Sequence, residues 1–190
     1  WSMGKKITID SATMANKGLE IIETKEFFAI DVSKIKVIIH PQSLVHSLIR
    51  TIDGSLYAQI SKPNMDIPIQ NALTYPELWH SHLGHLNLAG CSFNFYPVDE
   101  RKYPLVNAAY QVVSAGKAYP IAFNAANETA VSAFIHNRIT FLDISRVVLD
   151  TLQLDWSNPV TSFDEVLEID RKVREAALNS VKKFKNNSHP

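Results

Sequence analysis

The sequence predicts an α+β fold, in which helices and a mixed or antiparallel sheet are followed by an all-α helical bundle. Apolar segments flank Asp53-Gly54, which is the strongest short-range signal for an antiparallel hairpin. Beyond residue 100, apolar residues recur at helical spacing. We therefore expect three parts: a mixed α and β part over residues 1–75, a connecting segment over 76–100 and a helical domain over 101–190.

The first predicted elements are a short strand, a turn and a helix. The β-branched run from Ile7 to Ile9 indicates the end of a strand, and Asp10-Ser11 indicates the turn. Ser11 would then lie at the entry of the helix, which we expect to continue to about Phe28. The expected inward residues of this helix are apolar: Leu19, Ile22, Phe27 and Phe28.

Three more elements are predicted before residue 75. Residues 34–39 are largely apolar and β-branched, which predicts a buried strand. Residues 48–52 and 55–60 form the arms of the predicted hairpin. Asp66 followed by Pro68 indicates the start of a helix, because aspartate favours the cap position and proline the first turn.

The segment from residue 75 to residue 99 contains prolines, glycines and the histidines His80, His82 and His85. Histidine is a common zinc ligand, so this cluster raises the question of a zinc site. The cluster lacks a cysteine and a clear fourth ligand. We therefore interpret the segment as a solvated connecting loop.

Four helices are predicted in the last part of the chain. Pro104 opens the first and Gly116 closes it, while Asn124 caps the second. An apolar stripe marks the third: Ile144, Val147, Val148 and Leu152. Ser162 to Glu165 is a capping-box pattern for a final helix that ends near Phe184.

The composition narrows the possible function classes. The chain has 190 residues, 46% of them hydrophobic, which is enough for a substantial core. Nineteen basic residues balance nineteen acidic ones, so no global field attracts nucleic acid or an anionic membrane. No apolar run approaches the roughly 18 residues of a membrane span. The single cysteine, Cys91, fits a reducing compartment, and we expect a cytosolic protein.

Residues 10–20 concentrate groups suited to a phosphorylated ligand and a divalent cation. Ser11 and Asn16 can hydrogen-bond phosphate oxygens, and Lys17 adds a compact positive charge. Glu20 offers the hard anionic oxygen that Mg²⁺ or Mn²⁺ prefers. On spacing alone an alternative stays open, in which Ser11 only caps a helix and Lys17 and Glu20 are ordinary surface charges.

Four blocks of the sequence resemble one enzyme family. They are Trp-Ser-Met-Gly to Ala-Asn-Lys-Gly-Leu-Glu (1–20), His-Pro-Gln-Ser-Leu-Val-His-Ser (40–47), Pro-Asn-Met-Asp-Ile-Pro-Ile (63–69) and Asn-Ala-Ala-Asn-Glu (124–128). In this order they resemble 1-deoxy-D-xylulose 5-phosphate reductoisomerase. The resemblance extends to about Val181 and is more specific than any single short motif. It implies that residues 1–75 form the C-terminal part of the family's catalytic domain, which binds the substrate and the metal.

The resemblance implies roles for the residues at the start of the chain. Ser11, Asn16 and Lys17 would bind the substrate, chiefly its phosphate. Glu20 would bind the divalent metal, Mg²⁺ or Mn²⁺, and act in catalysis through it. In this family an aspartate and a glutamate from an upstream segment, not present here, complete the metal site.

Further site residues follow from the same resemblance. Trp1 and Met3 would belong to a loop that covers the bound substrate. Gly4 would contact NADPH, and Met65 would lie near the nicotinamide.

Two histidines, His40 and His46, follow the predicted strand at residues 34–39. A histidine near a phosphate and a metal can serve as an acid, a base or a hydrogen-bond donor, and we assign such a catalytic role to His46. A purely structural role stays open for both. For residues 124–128 we expect a helix-start and packing role.

The resemblance implies conversion of 1-deoxy-D-xylulose 5-phosphate to 2-C-methyl-D-erythritol 4-phosphate with NADPH, a step of non-mevalonate isoprenoid synthesis. It also implies a homodimer, located in the bacterial cytoplasm or a plastid-type organelle. Trp1 is not an initiator methionine, and a Gly-x-Gly-x-x-Gly turn is missing from the sequence. We therefore expect the C-terminal portion of a longer enzyme, without its dinucleotide-binding domain and inactive alone.

Two other functions use the same residues. A non-catalytic phosphate-binding or interaction module would need only the polar groups around Ser11 to Lys17. An enzyme acting on a keto-sugar phosphate would instead use Lys17 to form a Schiff base, which borohydride would trap.

Overall fold

The computed structural model describes residues 3–187, and side chains up to residue 184. Within that range the chain is an α+β protein with seven α-helices and two small antiparallel sheets. The helices are α1 (Lys5–Ala12), α2 (Ala15–Phe28), α3 (Asp66–Thr74), α4 (Pro104–Ala115), α5 (Tyr119–Ile135), α6 (Phe141–Leu152) and α7 (Phe163–Asn187). The strands are β1 (Ile38–Ile39), β2 (Val45–Arg50), β3 (Leu56–Ile60) and β4 (Tyr96–Pro97).

The chain divides into two compact units. The helical unit combines the residues up to Val37 with those from Asp99 onward, and the hairpin unit comprises Ile38–Val98. This division differs from the predicted boundaries near residues 75 and 100, because α1 and α2 pack on α4 and α5. The assignment of residues 1–75 to a catalytic part concerns function and stays a prediction.

The core of the helical unit is built from α4 to α7, as predicted for this part of the chain. Gly116, with φ of 62°, ends α4, and Ile144, Val147 and Val148 are fully buried on α6. The capping box of α7 is present, because the Glu165 N–H donates to Ser162 Oγ. Other large side chains that are buried in this core are those of Leu105, Phe123, Val131 and Val173.

One predicted helix start in the bundle is wrong. Asn124 lies inside α5, which begins five residues earlier at Tyr119. Pro120 occupies the first turn, where its missing N–H costs no hydrogen bond, and this signal outweighs the weaker asparagine signal.

The strand predicted at Ile7 to Ile9 is also wrong, because these residues lie in α1. The next residue, Asp10, is buried against α5 and accepts a hydrogen bond from Asn127 Nδ2 at 2.8 Å. This long-range contact overrides the local preference of β-branched residues for strands. The turn accordingly falls at Thr13–Met14 rather than at Asp10-Ser11, and Met14 adopts φ of 58°.

Helix α2 ends at Phe28 as predicted, but it packs through smaller residues than expected. Ala15, Gly18 and Ile21 are its buried residues, while Leu19 and Ile22 are half-buried. Phe27 and Phe28 are 80% and 72% exposed, so their predicted inward position is wrong. The helix is anchored through its first two turns, and its last turn projects into solvent.

In the hairpin unit, the predicted hairpin is confirmed. Strands β2 and β3 pair antiparallel with Arg50 opposite Leu56, and Gly54 in the connecting loop has φ of 88°. Helix α3 starts where predicted, but Asp66 is its first residue and Met65 takes the cap position predicted for Asp66. Asn64 Oδ1 accepts a hydrogen bond from the Asp66 N–H.

The buried strand predicted over residues 34–39 is much shorter in the structure. Only Ile38–Ile39 form β1, and Ile38 is 45% exposed. The partner strand, β4, ends in Pro97, which has no N–H to extend the pairing. Strand β4 lies in the segment predicted as a connection, which therefore belongs to the hairpin unit.

Residues 38–98 are all described, and none of them is buried. Many of their apolar side chains are exposed instead, including those of Ile49, Tyr57 and Leu73. Among the helices in the described range, none combines the length and apolarity needed to cross a membrane.

Candidate functional site

A hydrogen-bonded group of three side chains projects from α2. Glu20 Oε1 accepts a hydrogen bond from Asn16 Nδ2 at 2.8 Å, and Glu20 Oε2 accepts one from Lys17 Nζ at 2.6 Å. The Lys17 and Glu20 side chains are 40% and 45% exposed. A helix brings residues three and four apart together, so this proximity follows directly from the spacing. We call Asn16, Lys17 and Glu20 the α2 cluster.

The start of α2 adds backbone donors beside the cluster. Asn16 and Lys17 occupy the first turn, where backbone N–H groups lack intrahelical acceptors. Together with the helix dipole, these groups favour a negative charge near the Lys17 ammonium. The cluster thus offers donors for an anion and, at Glu20, a carboxylate for a cation.

Ser11, the fourth predicted member, lies elsewhere than predicted. It is exposed in the last turn of α1, and its carbonyl accepts a hydrogen bond from the Met14 N–H. The prediction that Ser11 lies at a helix entry is wrong, so the dipole argument applies to the start of α2 instead. The hydrogen bonds of the α2 cluster do not include Ser11.

The α1 segment that precedes the cluster is held by a buried polar contact that the sequence reasoning missed. Asp10 is 1% exposed, and its carboxylate is bound by Lys6 Nζ and Asn127 Nδ2, both at 2.8 Å. Asn127 is fully buried and lies in the Asn-Ala-Ala-Asn-Glu motif. The packing role expected for that motif is therefore confirmed at Asn127.

The same motif connects α5 to α7 through Glu128. Its carboxylate accepts a hydrogen bond from Arg174 at 2.6 Å, and Arg174 also pairs with Asp170. The hydrogen bonds that Arg174 donates to the Asp170 and Glu128 carboxylates raise the pKa of Arg174 and keep it charged. Glu128 is thus part of an ion-pair network between helices.

His40 and His46 both make structural contacts in the hairpin unit. The His40 ring stacks on Phe95 with ring centroids 4.8 Å apart, and His40 Nδ1 lies 2.9 Å from the Asn94 carbonyl oxygen. His46 Nε2 lies 3.2 Å from the Ser61 carbonyl oxygen, at an irregularity in the β2–β3 pairing. These contacts support the structural reading, and the catalytic role of His46 stays a prediction.

The residues expected near the cofactor and over the substrate are exposed where they are described. Gly4 caps the N-terminus of α1, and a methyl group there would meet nothing within 4 Å. Met65 is 60% exposed at the start of α3, and Met3 is 38% exposed. Trp1, the other residue of the predicted covering loop, lies outside the described residues.

The three histidines of the predicted loop are all exposed. His82 Nε2 lies 3.2 Å from Asp66 Oδ2, and Gln70 donates to the His80 carbonyl. In residues 3–184, no three histidine, cysteine, aspartate or glutamate side chains are placed to hold a metal ion together.

The α2 cluster fits a divalent cation as one part of its coordination shell. Mg²⁺ is commonly held by one or two carboxylates, with waters and substrate oxygens as its other ligands. Glu20 provides such a carboxylate, half exposed and oriented by two donors.

The fold and these side chains define the class of protein: an α+β protein with a helical bundle and a half-exposed amide–ammonium–carboxylate cluster on one helix. A family model described as "DXP reductoisomerase C-terminal domain" matches residues 60–176. A second model, "1-deoxy-D-xylulose 5-phosphate reductoisomerase C-terminal domain", matches residues 1–28. The chain therefore belongs to the DXP reductoisomerase C-terminal domain family.

Curated relatives carry the corresponding name. The 1-deoxy-D-xylulose 5-phosphate reductoisomerase of Treponema pallidum is 46% identical over 182 residues, which are 95% of this chain and 48% of that protein. The enzyme of the same name from Desulforamulus reducens is 47% identical over 178 residues, covering 93% and 46%. The chain thus spans about half the length of these relatives.

Solved structures of similar proteins agree with this fold. The Zymomonas mobilis reductoisomerase in complex with NADPH has a TM-score of 0.88 at 38% identity, covering 93% of this chain and 47% of that one. A DOX-P reductoisomerase in complex with NADPH, fosmidomycin and magnesium has a TM-score of 0.88 at 39% identity, covering 97% and 48%.

Proposed function

We propose that this chain forms the substrate- and metal-binding part and the C-terminal helical domain of a 1-deoxy-D-xylulose 5-phosphate reductoisomerase. The enzyme would convert 1-deoxy-D-xylulose 5-phosphate to 2-C-methyl-D-erythritol 4-phosphate with NADPH and Mg²⁺ or Mn²⁺. The observation that carries the proposal is the half-exposed α2 cluster, which lies inside the family match at residues 1–28. The magnesium and NADPH complexes of similar proteins support the choice of ligands.

The α2 cluster would anchor the phosphate end of the substrate. The Lys17 ammonium has three donors and uses one on Glu20, so it can also bind a phosphate oxygen. Asn16 and the first-turn N–H groups of α2 add neutral donors, and Ser11 contributes a hydroxyl from α1. A fixed phosphate holds the reacting carbons in place, which lowers the entropic cost of the reaction.

Glu20 would hold the divalent cation next to the anchored substrate. Its two oxygens are already oriented by Asn16 and Lys17, so the carboxylate is placed before the cation binds. When bound, the cation supplies Lewis-acid polarisation of substrate oxygens, and NADPH supplies the hydride. The protein groups orient the reactants and exclude water.

The remaining site residues would contact the cofactor and close the site. Gly4 lets a bulky cofactor approach the backbone, and the exposed Met65 offers an apolar contact for the nicotinamide. Trp1 and Met3 would cover the substrate and protect the hydride transfer from water. His46 would hydrogen-bond the substrate or transfer a proton.

The oligomeric state, the location and the domain architecture of the enzyme are also part of what we propose. The enzyme would act as a homodimer in the bacterial cytoplasm or a plastid-type organelle. A dinucleotide-binding domain and further acidic metal ligands would be provided by a segment outside this sequence. The purified 190-residue chain should therefore not oxidise NADPH in the presence of substrate, and measurable turnover would contradict this part of the proposal.

The central test uses a chimera in which this chain replaces the matched segment of the Treponema pallidum relative. We expect divalent-cation-dependent oxidation of NADPH with 1-deoxy-D-xylulose 5-phosphate. Glu20→Gln should lower kcat/KM by roughly 100-fold or more, because it removes the charge that holds the cation. Lys17→Ala should raise KM roughly 10- to 100-fold through loss of a charged hydrogen bond.

Matched controls lie on the same helix. Glu23→Gln and Lys25→Ala remove the same charges from α2 outside the cluster, and both should leave kcat and KM within about twofold. A chimera that is folded by circular dichroism but does not oxidise NADPH would refute the proposed function. Wild-type rates in Glu20→Gln would remove Glu20 from the metal site.

A further inference from the structure

Helix α2 approaches its neighbours closely at Gly18. A Cβ atom added there would lie 2.9 Å from Phe123 Cζ and 3.1 Å from Ala109 Cβ. It would also lie 3.4 Å from the carbonyl oxygen of Leu105. The first of these distances is shorter than any comfortable carbon–carbon contact, so even one methyl group has no room.

The neighbours of Gly18 have little freedom to give way. Phe123, Ala109 and Leu105 are each 0% exposed, in the core formed by α4 and α5. Phe123 contributes the far edge of an aromatic ring, which cannot move aside without displacing other packed side chains. A side chain at position 18 would therefore push α2 away from α4 and α5.

The α2 cluster lies on the opposite side of the same two turns. At about 100° per residue, the mean direction of Asn16, Lys17 and Glu20 is roughly 150° from that of the buried Ala15, Gly18 and Ile21. A displacement of α2 would therefore carry the cluster outward as a body. The hydrogen bonds inside the cluster would persist, but its position relative to the rest of the site would change.

We propose that Gly18 is a positioning residue, which sets the depth at which α2 presents Asn16, Lys17 and Glu20 to the phosphate and the cation. The inference rests on the proposed function, because it concerns the same site. Glycine is the residue that permits this depth, since the contact surface at position 18 leaves no space for a Cβ atom.

Stability alone cannot reveal this role. Alanine is favoured over glycine inside a helix, and this preference opposes the cost of the clash in Gly18→Ala. The two effects partly cancel in the free energy of unfolding. Substrate and cation binding respond only to the displacement of the cluster, so kinetics separate a positioning role from a merely structural one.

The experiment compares four variants of the chimera defined above: Gly18→Ala, Phe123→Leu, the Gly18→Ala/Phe123→Leu double variant and Glu23→Ala. Gly18→Ala should raise the KM for substrate and the cation concentration for half-maximal rate roughly tenfold each, with a smaller change in kcat. Leucine at position 123 lacks the atom that meets the added methyl group. The double variant should therefore return both constants to within about threefold of the parent.

Glu23→Ala controls for helix propensity, because Glu23 is exposed on α2, and it should leave both constants unchanged. Circular dichroism of each variant shows whether the chimera is folded. If Gly18→Ala does not fold, the double variant decides: a folded double variant with near-parental constants supports the inference. A folded double variant whose KM stays raised more than tenfold overturns it.

The outcomes also separate this inference from the proposed function. Unchanged constants in Gly18→Ala, with the expected losses in Lys17→Ala and Glu20→Gln, overturn the positioning role alone. Unchanged constants in Lys17→Ala and Glu20→Gln overturn the proposed function and this inference with it.

Discussion

The helical unit and the hairpin unit differ in how they are stabilised. The helical unit buries large apolar side chains of α4 to α7 completely, including Phe123, Leu105 and Val173. None of residues 38–98, which form the hairpin unit, is buried. Its order depends on strand pairing, turns and short polar contacts, such as the Gln42 amide donating to Asn94 Oδ1.

This difference bears on where the proposed binding groups lie. The α2 cluster is attached to a helix whose other side contacts the deepest part of the core, so the core holds the cluster in place. His46 and Met65 belong to the unit without a core of its own. We expect the α2 cluster to be fixed before ligands bind. We expect the positions of His46 and Met65 to depend on additional contacts.

The largest expected effect is that of truncating the core of the helical unit. Phe123→Ala removes a fully buried ring and should lower the free energy of unfolding by about 4 kcal/mol. Urea unfolding of the chain, followed by circular dichroism, measures this loss. Leu73→Ala is the matched truncation in the hairpin unit, where Leu73 is 82% exposed, and it should cost less than about 0.5 kcal/mol.

Equal losses for these two variants would show that the units do not differ as described. A shift in the unfolding midpoint with Phe123→Ala but not with Leu73→Ala would support the difference in burial between the two units.

The second prediction concerns the buried polar contact between α1 and α5. Asn127→Asp would place a second carboxylate against Asp10 and should cost about 3 kcal/mol at neutral pH. Asn127→Ala should cost only about 1 kcal/mol. Asn127→Ala removes the donor to Asp10. The same substitution also removes a buried amide oxygen that lacks a partner in the described part of the chain, and this gain offsets part of the loss.

The same urea titrations measure both variants. Similar losses of unfolding free energy for Asn127→Asp and Asn127→Ala would contradict the expected repulsion between the two carboxylates at positions 10 and 127.

The third prediction concerns the start of α6 and its dependence on pH. Burial tends to raise the pKa of Asp143, but hydrogen bonds from Thr140 and Arg146 outweigh burial and hold it below the ordinary value of 3.8. A lowered pKa in the folded state means that ionised Asp143 stabilises the fold above the unfolded pKa. This stability is lost as the pH falls through the folded pKa.

Asp143→Asn should therefore cost about 1 kcal/mol at neutral pH, and the difference from the parent chain should disappear in acid. Thermal unfolding at a series of pH values tests this expectation. A constant difference across the series would argue against an ionised Asp143 as the source of the stability.

The smallest expected effect is confined to the hairpin. Gly54 has φ of 88°, so Gly54→Ala should strain the loop by about 1 kcal/mol. Because the hairpin unit lacks buried residues, we expect faster hydrogen exchange of the β2–β3 amides and no change in the global unfolding midpoint. Ile52→Ala, at a fully exposed position in the same loop, is the control. A drop in the global midpoint with Gly54→Ala would show that the two units unfold together.

Local signals in the sequence predicted the elements that depend on local chemistry. Pro104 and Gly116 bounded α4, and Ser162 with Glu165 capped α7. Asp53-Gly54 predicted the hairpin because its turn needs a positive φ. The error at Ile7–Ile9 has a different origin, because the contact of Asp10 with the distant Asn127 decided it. Phe27 and Phe28 are exposed because the buried residues of α2 lie in its first two turns.

In the candidate site, too, features set by local spacing were predicted and features set by long-range contacts were not. The spacing of Asn16, Lys17 and Glu20 was sufficient to predict that they meet on one side of a helix. The placement of Ser11 failed because the turn after α1 depends on Asp10 and its partner 117 positions away, Asn127. No local pattern indicated the close contact at Gly18.

By itself, the sequence determined the family, the helical bundle, the hairpin and the composition of the α2 cluster, because each depends on residue types at short spacing. Only the tertiary structure decided which residues of α2 are buried, how α1 is anchored and how deep the cluster lies. Those features depend on whether side chains from different helices fit one volume, and that volume exists only after the helices have packed.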